Sequence, residues 1–181
     1  MRLARREWWH SIAQRREQLF MSLIESKASY QDYKRAVLEQ EKELLREART
    51  PAERLHLQQI TAKEVLTEAY MARSPWEEFG PLLRRCQRLG FADLGDHVHV
   101  ACLFVQALPR FPKQARQAFA MLDKVERLLG RVRKDHHLRR EGTKSIAHAR
   151  AVAASSGITP PGGAGQRRRV AEGQSRRSAR L

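Results

Sequence analysis

"TPAERLHLQQITAKEVLTEAYMARSPWEE", residues 50–78, begins and ends with the same piece of helix punctuation. In TPAE at Thr50 and again in SPWE at Ser74, a hydroxyl stands at the N-cap, proline at the first helical position and glutamate at the third. In that arrangement the hydroxyl oxygen accepts an orphaned backbone N–H, and the glutamate carboxylate reaches back to the N–H of the cap residue. Two helices therefore start at Pro51 and Pro75, and two earlier helices end just before them. Between the two starts, Ala62, Val65, Leu66, Ala69 and Tyr70 recur at helical spacing, so one helix runs from Pro51 to about Arg73.

Toward the N-terminus, the chain reads as one long helix over about residues 4–48. Steps of three and four from Trp9 place Trp9, Leu23, Tyr30, Val37 and Leu44 on one stripe, interrupted by Arg16. The companion positions alternate between apolar Ile12, Leu19 and Tyr33 and polar Ser26, Gln40 and Glu47, which makes a degraded heptad rather than a zipper. Neither helix buries its stripe alone, so the spacing predicts an antiparallel hairpin turning at Arg49 and Thr50, with a kinked continuous rod as the competing picture. Such a hairpin also offers a surface for homo-oligomer formation. Trp8 and Trp9 read as core against the second helix in preference to an exposed partner-binding patch.

Toward the C-terminus, a third helix runs from Pro75 to about Leu89 and stops at Gly90, a left-handed cap position. A fourth, about Asp93 to Leu108, is apolar around most of its circumference (Val98, Val100, Ala101, Leu103, Phe104, Val105, Leu108) and is expected to be the most buried helix. Pro109 and Pro112 bracket an elbow. A fifth helix is expected from Pro112 to about His137, then a break at Gly142 and a sixth from Lys144 to Ala154 behind Thr143. Phe79, Leu82, Leu89 and Gly90 recur forty residues later as Phe119, Leu122, Leu129 and Gly130, an offset within the range of helical-hairpin repeats. From Ser156 onward the chain is rich in Gly, Pro, Ser and Arg, and holds too little apolar surface to offset the entropy of ordering.

Strand signals are missing: no β-branched and polar residues alternate over any length, and Asn does not occur in the chain. The fold class is therefore all-α. Its expected parts are a long N-terminal helical hairpin over 1–73, a compact multi-helix body over 74–155 and a disordered basic tail over 156–181.

The charge narrows the partners. In 181 residues, 35 Lys and Arg stand against 20 Asp and Glu, a net charge of +15. Residues 1–72 carry 13 basic and 11 acidic side chains, whereas residues 73–155 carry 16 and 8 and residues 156–181 carry 6 and 1. The excess sits in the second half, where its field attracts polyanions. Cys86 and Cys102 are too few for a disulfide framework or a paired-cysteine zinc knuckle, which suits a reducing compartment. No apolar run approaches the ~20 residues that span a bilayer, and no export or transit segment is legible at the start, so a cytoplasmic location is expected.

Within the fifth helix the cations line up. Projected at about 100° per residue, Ala115, Ala118, Leu122, Val125, Leu129 and Val132 share one face, while Lys113, Arg116, Lys124, Arg127, Arg131 and Lys134 fall within about 80° of the opposite direction. At ~1.5 Å per residue that file is roughly 30 Å long. Two of the six have an acid one turn away, Asp123 with Arg127 and Asp135 with Arg131. Arg139, Arg140, Lys144 and Arg150 continue the basic region, and Arg167, Arg168 and Arg169 lead the tail. The nine candidate polyanion contacts are those six and the three tail arginines. The plain alternative is a solvated helix face.

Other candidate chemistry is weaker. His136 sits one turn beyond Val132 and reads as a helix-end residue favouring the C-terminal dipole, while His137 faces sideways; adjacent helical residues diverge too far to share a metal ion. In "DLGDHVHVAC" from Asp93, Asp capping with His97 and His99 at the rim of the core is a more economical account than zinc. No glycine-rich phosphate loop, nucleophile elbow or acid pair is present, so no metal, cofactor or catalytic residue is assigned and an enzyme is not expected.

The block "HVHVACLFVQALPRFPKQARQAFAMLDKVERLL", residues 97–129, resembles the short, lineage-restricted helical proteins that occur as paralogue sets in myxobacteria. The resemblance implies neither a reaction nor site residues. The expectation is a non-enzymatic protein-interaction protein with a protein partner, acidic in character. The alternative is a sequence-nonspecific nucleic-acid-binding protein that uses the basic helix face and the arginine-rich tail.

Overall fold

The helix start at Thr50 forms as its residues dictate. Thr50 Oγ1 accepts the Glu53 N–H at 3.2 Å, and Glu53 Oε2 accepts the N–H groups of Thr50 at 3.1 Å and Arg49 at 3.0 Å. The computed structural model describes residues 2–134 and 136–161, with the backbone alone for residues 2–6. Its elements are α1 (Arg2–Glu25), α2 (Tyr30–Glu47), α3 (Pro51–Met71), α4 (Trp76–Leu89), α5 (Leu94–Gln106), a 3₁₀ turn (Pro112–Gln114), α6 (Ala115–Gly130) and α7 (His137–Ser155). Every regular element among the described residues is helical, so the fold is all-α. No helix among them is long and apolar enough to cross a membrane.

The chain forms two compact units, Met1–Ala92 and Asp93–Leu181. In the first, α2, α3 and α4 each reverse the direction of the helix before. Tyr33 on α2 meets Glu64 on α3, and Leu44 meets Leu57, which is the pairing of an antiparallel hairpin. That hairpin is shorter than the long one expected, because the single helix over 4–48 is broken. The N–H of Ala28 bonds to the carbonyl of Leu23 and that of Lys27 to Ile24, with Lys27 at φ 52°. This is a left-handed helix end built without glycine. Ser29 then caps α2 by accepting the Asp32 N–H at 3.2 Å. The turn sends α1 back along α2, where Trp8 and Trp9 pack on the buried cluster of Ile12, Leu44, Ala48 and Leu57.

The second helix start is displaced by one residue. Pro75, not Ser74, stands at the N-cap of α4, with no side-chain cap bond. Ser74 is buried and belongs to the end of α3, its N–H bonded to Ala69 O beyond Arg73 at φ 55°. Helix α4 lies with α3 in the first unit, and Gln59 Nε2 donates to Leu89 O at 2.9 Å beside Gly90, which turns at φ 73°. Gly130, its counterpart in the forty-residue echo, does not have a positive φ.

In the second unit α5 is the centre, packed on α6 and α7, with Val100, Ala101, Phe104 and Val105 fully buried. Asp93 caps it, Oδ1 accepting the Asp96 N–H at 2.8 Å. The fifth helix does not run to His137: it begins with a 3₁₀ turn and ends at Gly130, and a separate helix, α7, starts at His137. Nor does Gly142 break a helix. It lies buried inside α7, where a Cβ would stand 2.7 Å from Leu129 Cδ1, so the missing side chain lets α7 approach α6. The fifth helix had to end earlier for α7 to lie back across α5 and α6. The expectations placed on Asp135, on Arg167, Arg168 and Arg169 and on tail disorder fall on residues outside those described, apart from 156–161.

Candidate functional site

Arg150, on α7, reaches across to α6. Its Nη2 donates to Asp123 Oδ1 at 2.9 Å and to Glu126 Oε2 at 2.7 Å. These two carboxylates are the acids of α6, and Arg150 occupies both, which holds its own guanidinium pKa above the usual value despite partial burial. The expected pairing of Asp123 with Arg127 is replaced by this bridge. Sequence spacing gave no sign of it, because the partners lie 24 and 27 residues away.

The six cations of the expected file are all exposed, and none forms an ion pair with a described residue. They do not form one straight file. Arg116, Lys124 and Arg127 share a face of α6, spanning ~16 Å along its axis. Lys113 sits in the 3₁₀ turn, Arg131 caps the end of α6 and Lys134 lies between α6 and α7. The expectation of a continuous coil beyond Pro112 is corrected to a helical patch with a basic turn at its end.

That turn is braced from within. Arg139 Nη1 donates to Val132 O at 2.7 Å, so one of the cations expected to extend the basic region serves the backbone instead. Lys144 pairs with Glu141 at 2.9 Å, while Arg140 is exposed. His136 is not at a helix C-terminus. It is the N-cap of α7, with Nδ1 accepting the Leu138 N–H at 3.1 Å.

The chain matches no family model, and neither a curated protein nor a solved structure is significantly similar to it. Among the described residues no group of three or more His, Cys, Asp and Glu side chains is placed to hold a metal ion. In the DLGDHVHVAC stretch, burial and the nearby Lys124 charge keep the His97 pKa low, and burial pushes the Cys102 thiol up to about 11. His97 stays neutral at the rim of the core, and Cys102 stays a protonated thiol, poorly suited to nucleophilic attack.

Proposed function

We propose that the chain is a non-enzymatic interaction protein that docks an acidic protein partner on the α6 face of its second unit. The observation that supports this reading is the bridge from Arg150 to Asp123 and Glu126. By taking up both acids of α6, it leaves Arg116, Lys124 and Arg127 without a carboxylate among the described residues. Cations held together in this way repel one another, and an anionic partner relieves that repulsion. The patch on α6 is short and bounded by turns, which suits a carboxylate-bearing protein surface better than the length of a duplex.

A second reading, sequence-nonspecific nucleic-acid binding, is favoured by the continuation of exposed cations through Arg131 and Lys134 to Arg140. Its contacts would be to phosphates, which position a protein without reading sequence.

The test is fluorescence anisotropy of the full chain against labelled polyglutamate and duplex DNA at two ionic strengths. For the wild type, polyglutamate binding is expected, weakened about tenfold by combining Arg116→Ala, Lys124→Ala and Arg127→Ala. If duplex DNA binds more tightly, and the triple substitution lowers its log–log salt slope by about three, the nucleic-acid reading takes its place. Binding of neither ligand removes both.

A further inference from the structure

The inner face of α1 is fastened by its cations. Arg15 pairs with Glu47 on α2 at 2.8 Å, and Arg16 donates to Glu64 and, at 3.0 Å, to Thr61 Oγ1 on α3. The outer face over the last turns of α1 is different. Phe20 is 41 % exposed, Met21 48 % and Ile24 53 %, three large apolar side chains within five residues of one helix; Leu55 and Met71, the other exposed large apolar residues of this unit, stand apart in sequence on α3. An open hollow beside them is lined by Gln14, Glu17, Gln18, Met21, Ser22 and Glu25. Glu17 and Glu25 are exposed, make no ion pair with a described residue and bracket Met21 at ~12 Å along the axis. Between Gln14 and Glu25 the cations are Arg15 and Arg16, both committed inward. In a chain of net charge +15, the charged side chains of this stretch that are not committed inward are the carboxylates Glu17 and Glu25, with the exposed Lys27 beyond the helix end.

We propose that the outer face of α1 docks a basic amphipathic helix of a protein partner, its apolar residues against Phe20, Met21 and Ile24 and its cations against Glu17 and Glu25. An apolar strip at this spacing is the usual receiving surface for a helix, and the flanking charges select its sign. A second copy of the chain fits poorly, because two-fold pairing about Met21 sets Glu17 of one copy against Glu25 of the other. The inference is independent of the acidic-partner reading: it concerns the other unit and the opposite charge, so either can fail alone.

The probe is a labelled 18-residue helical peptide of leucine and lysine, with a leucine and glutamate peptide of the same apolar pattern beside it, each titrated with the full chain. The basic peptide is expected to bind. Met21→Gln with Ile24→Gln weakens it about tenfold, and Glu17→Gln with Glu25→Gln weakens it several-fold and flattens its salt dependence. Glu43→Gln, at an exposed acid of α2, leaves it unchanged. All these positions are exposed, and the isosteric glutamate pair keeps the test valid should the apolar substitutions disturb folding. Equal binding by all variants overturns the proposal, as does loss of the acidic rather than the basic peptide. A wild type that sediments as a dimer, with the Met21→Gln and Ile24→Gln variant a monomer, also overturns it by making a second copy the occupant.

Discussion

In the first unit cations cross between helices to find acids: Arg15 to Glu47, Arg16 to Glu64, Lys34 to Glu78 and Arg85 to Glu41. In the second unit α5 supplies a nearly unbroken apolar centre, and Arg150 draws the acids of α6 away from their neighbouring cations. Residues 1–92 hold 17 basic and 13 acidic side chains, residues 93–181 hold 18 and 7. The two totals of positive charge are almost equal, yet they are used differently. A cation engaged with an internal carboxylate sets the register of helices; one left without a carboxylate is available to a partner.

If the second unit depends on its apolar centre, Phe104→Ala carries the largest penalty, about 4 kcal/mol for a fully buried ring. Trp8, Trp9 and Trp76 all lie in the first unit, so tryptophan fluorescence reports that unit while far-ultraviolet circular dichroism reports both. The variant is expected to split the dichroism transition and leave the fluorescence midpoint in place. A common shift of both would show that the units unfold as one.

The first unit is expected to respond most to loss of an ion-pair partner. Arg85→Ala leaves Glu41, with 7 % of its side chain exposed, without its guanidinium, at a cost of about 3 kcal/mol by fluorescence-monitored denaturation. Replacing both partners, Arg85→Met with Glu41→Leu, restores most of it, because two well-packed apolar side chains need no partner.

Smaller effects come from the helix ends. Lys27 and Arg73 occupy left-handed backbone at φ 52° and 55°, where a side chain is strained. Lys27→Gly and Arg73→Gly are each expected to stabilise the first unit by about 1 kcal/mol. At the end of α7, Gly157 already holds this position at φ 74°, so Gly157→Ala is expected to destabilise the second unit by a similar ~1 kcal/mol.

The pH responses are expected to have opposite signs. Burial keeps His97 neutral in the folded second unit, so the unfolded chain binds more protons; stability present above the ordinary histidine range is lost as pH falls through it. In the first unit, burial first and then neighbouring carboxylates raise the phenols, Tyr30 to about 12 and Tyr33 higher still. The unfolded chain ionises them first, so fluorescence-monitored stability falls as pH rises above 10, the ordinary tyrosine value.

Local chemistry made much of this fold legible. Thr50, Pro51 and Glu53 specify a capping box, Asp93 a helix start, and the apolar run from Val98 to Val105 a central helix. What was hidden depends on contacts distant in sequence. Gly142 has the appearance of a helix breaker until Leu129 is seen against it, and Lys27 ends a helix where glycine would have announced the turn. Ser74 satisfies a cap pattern but is claimed by the preceding helix end. Exposure of the six cations follows from periodicity, since they lie opposite the apolar face of α6 and beyond its ends. That Arg116, Lys124 and Arg127 have no carboxylate among the described residues does not, because it rests on Arg150 arriving from another helix.

The role of Arg150 in freeing the α6 cations is open to a direct comparison. Arg150→Gln frees Asp123 to pair with Arg127 one turn on and leaves the charge of Glu126 beside the patch, whereas Lys144→Gln removes the same charge from a pair with Glu141. Polyglutamate binding to the two full-length variants is the measurement. Arg150→Gln is expected to weaken binding more than Lys144→Gln, although Arg150 is itself committed to carboxylates; equal weakening, or none from Arg150→Gln, would show that the bridge does not free the α6 cations for a partner.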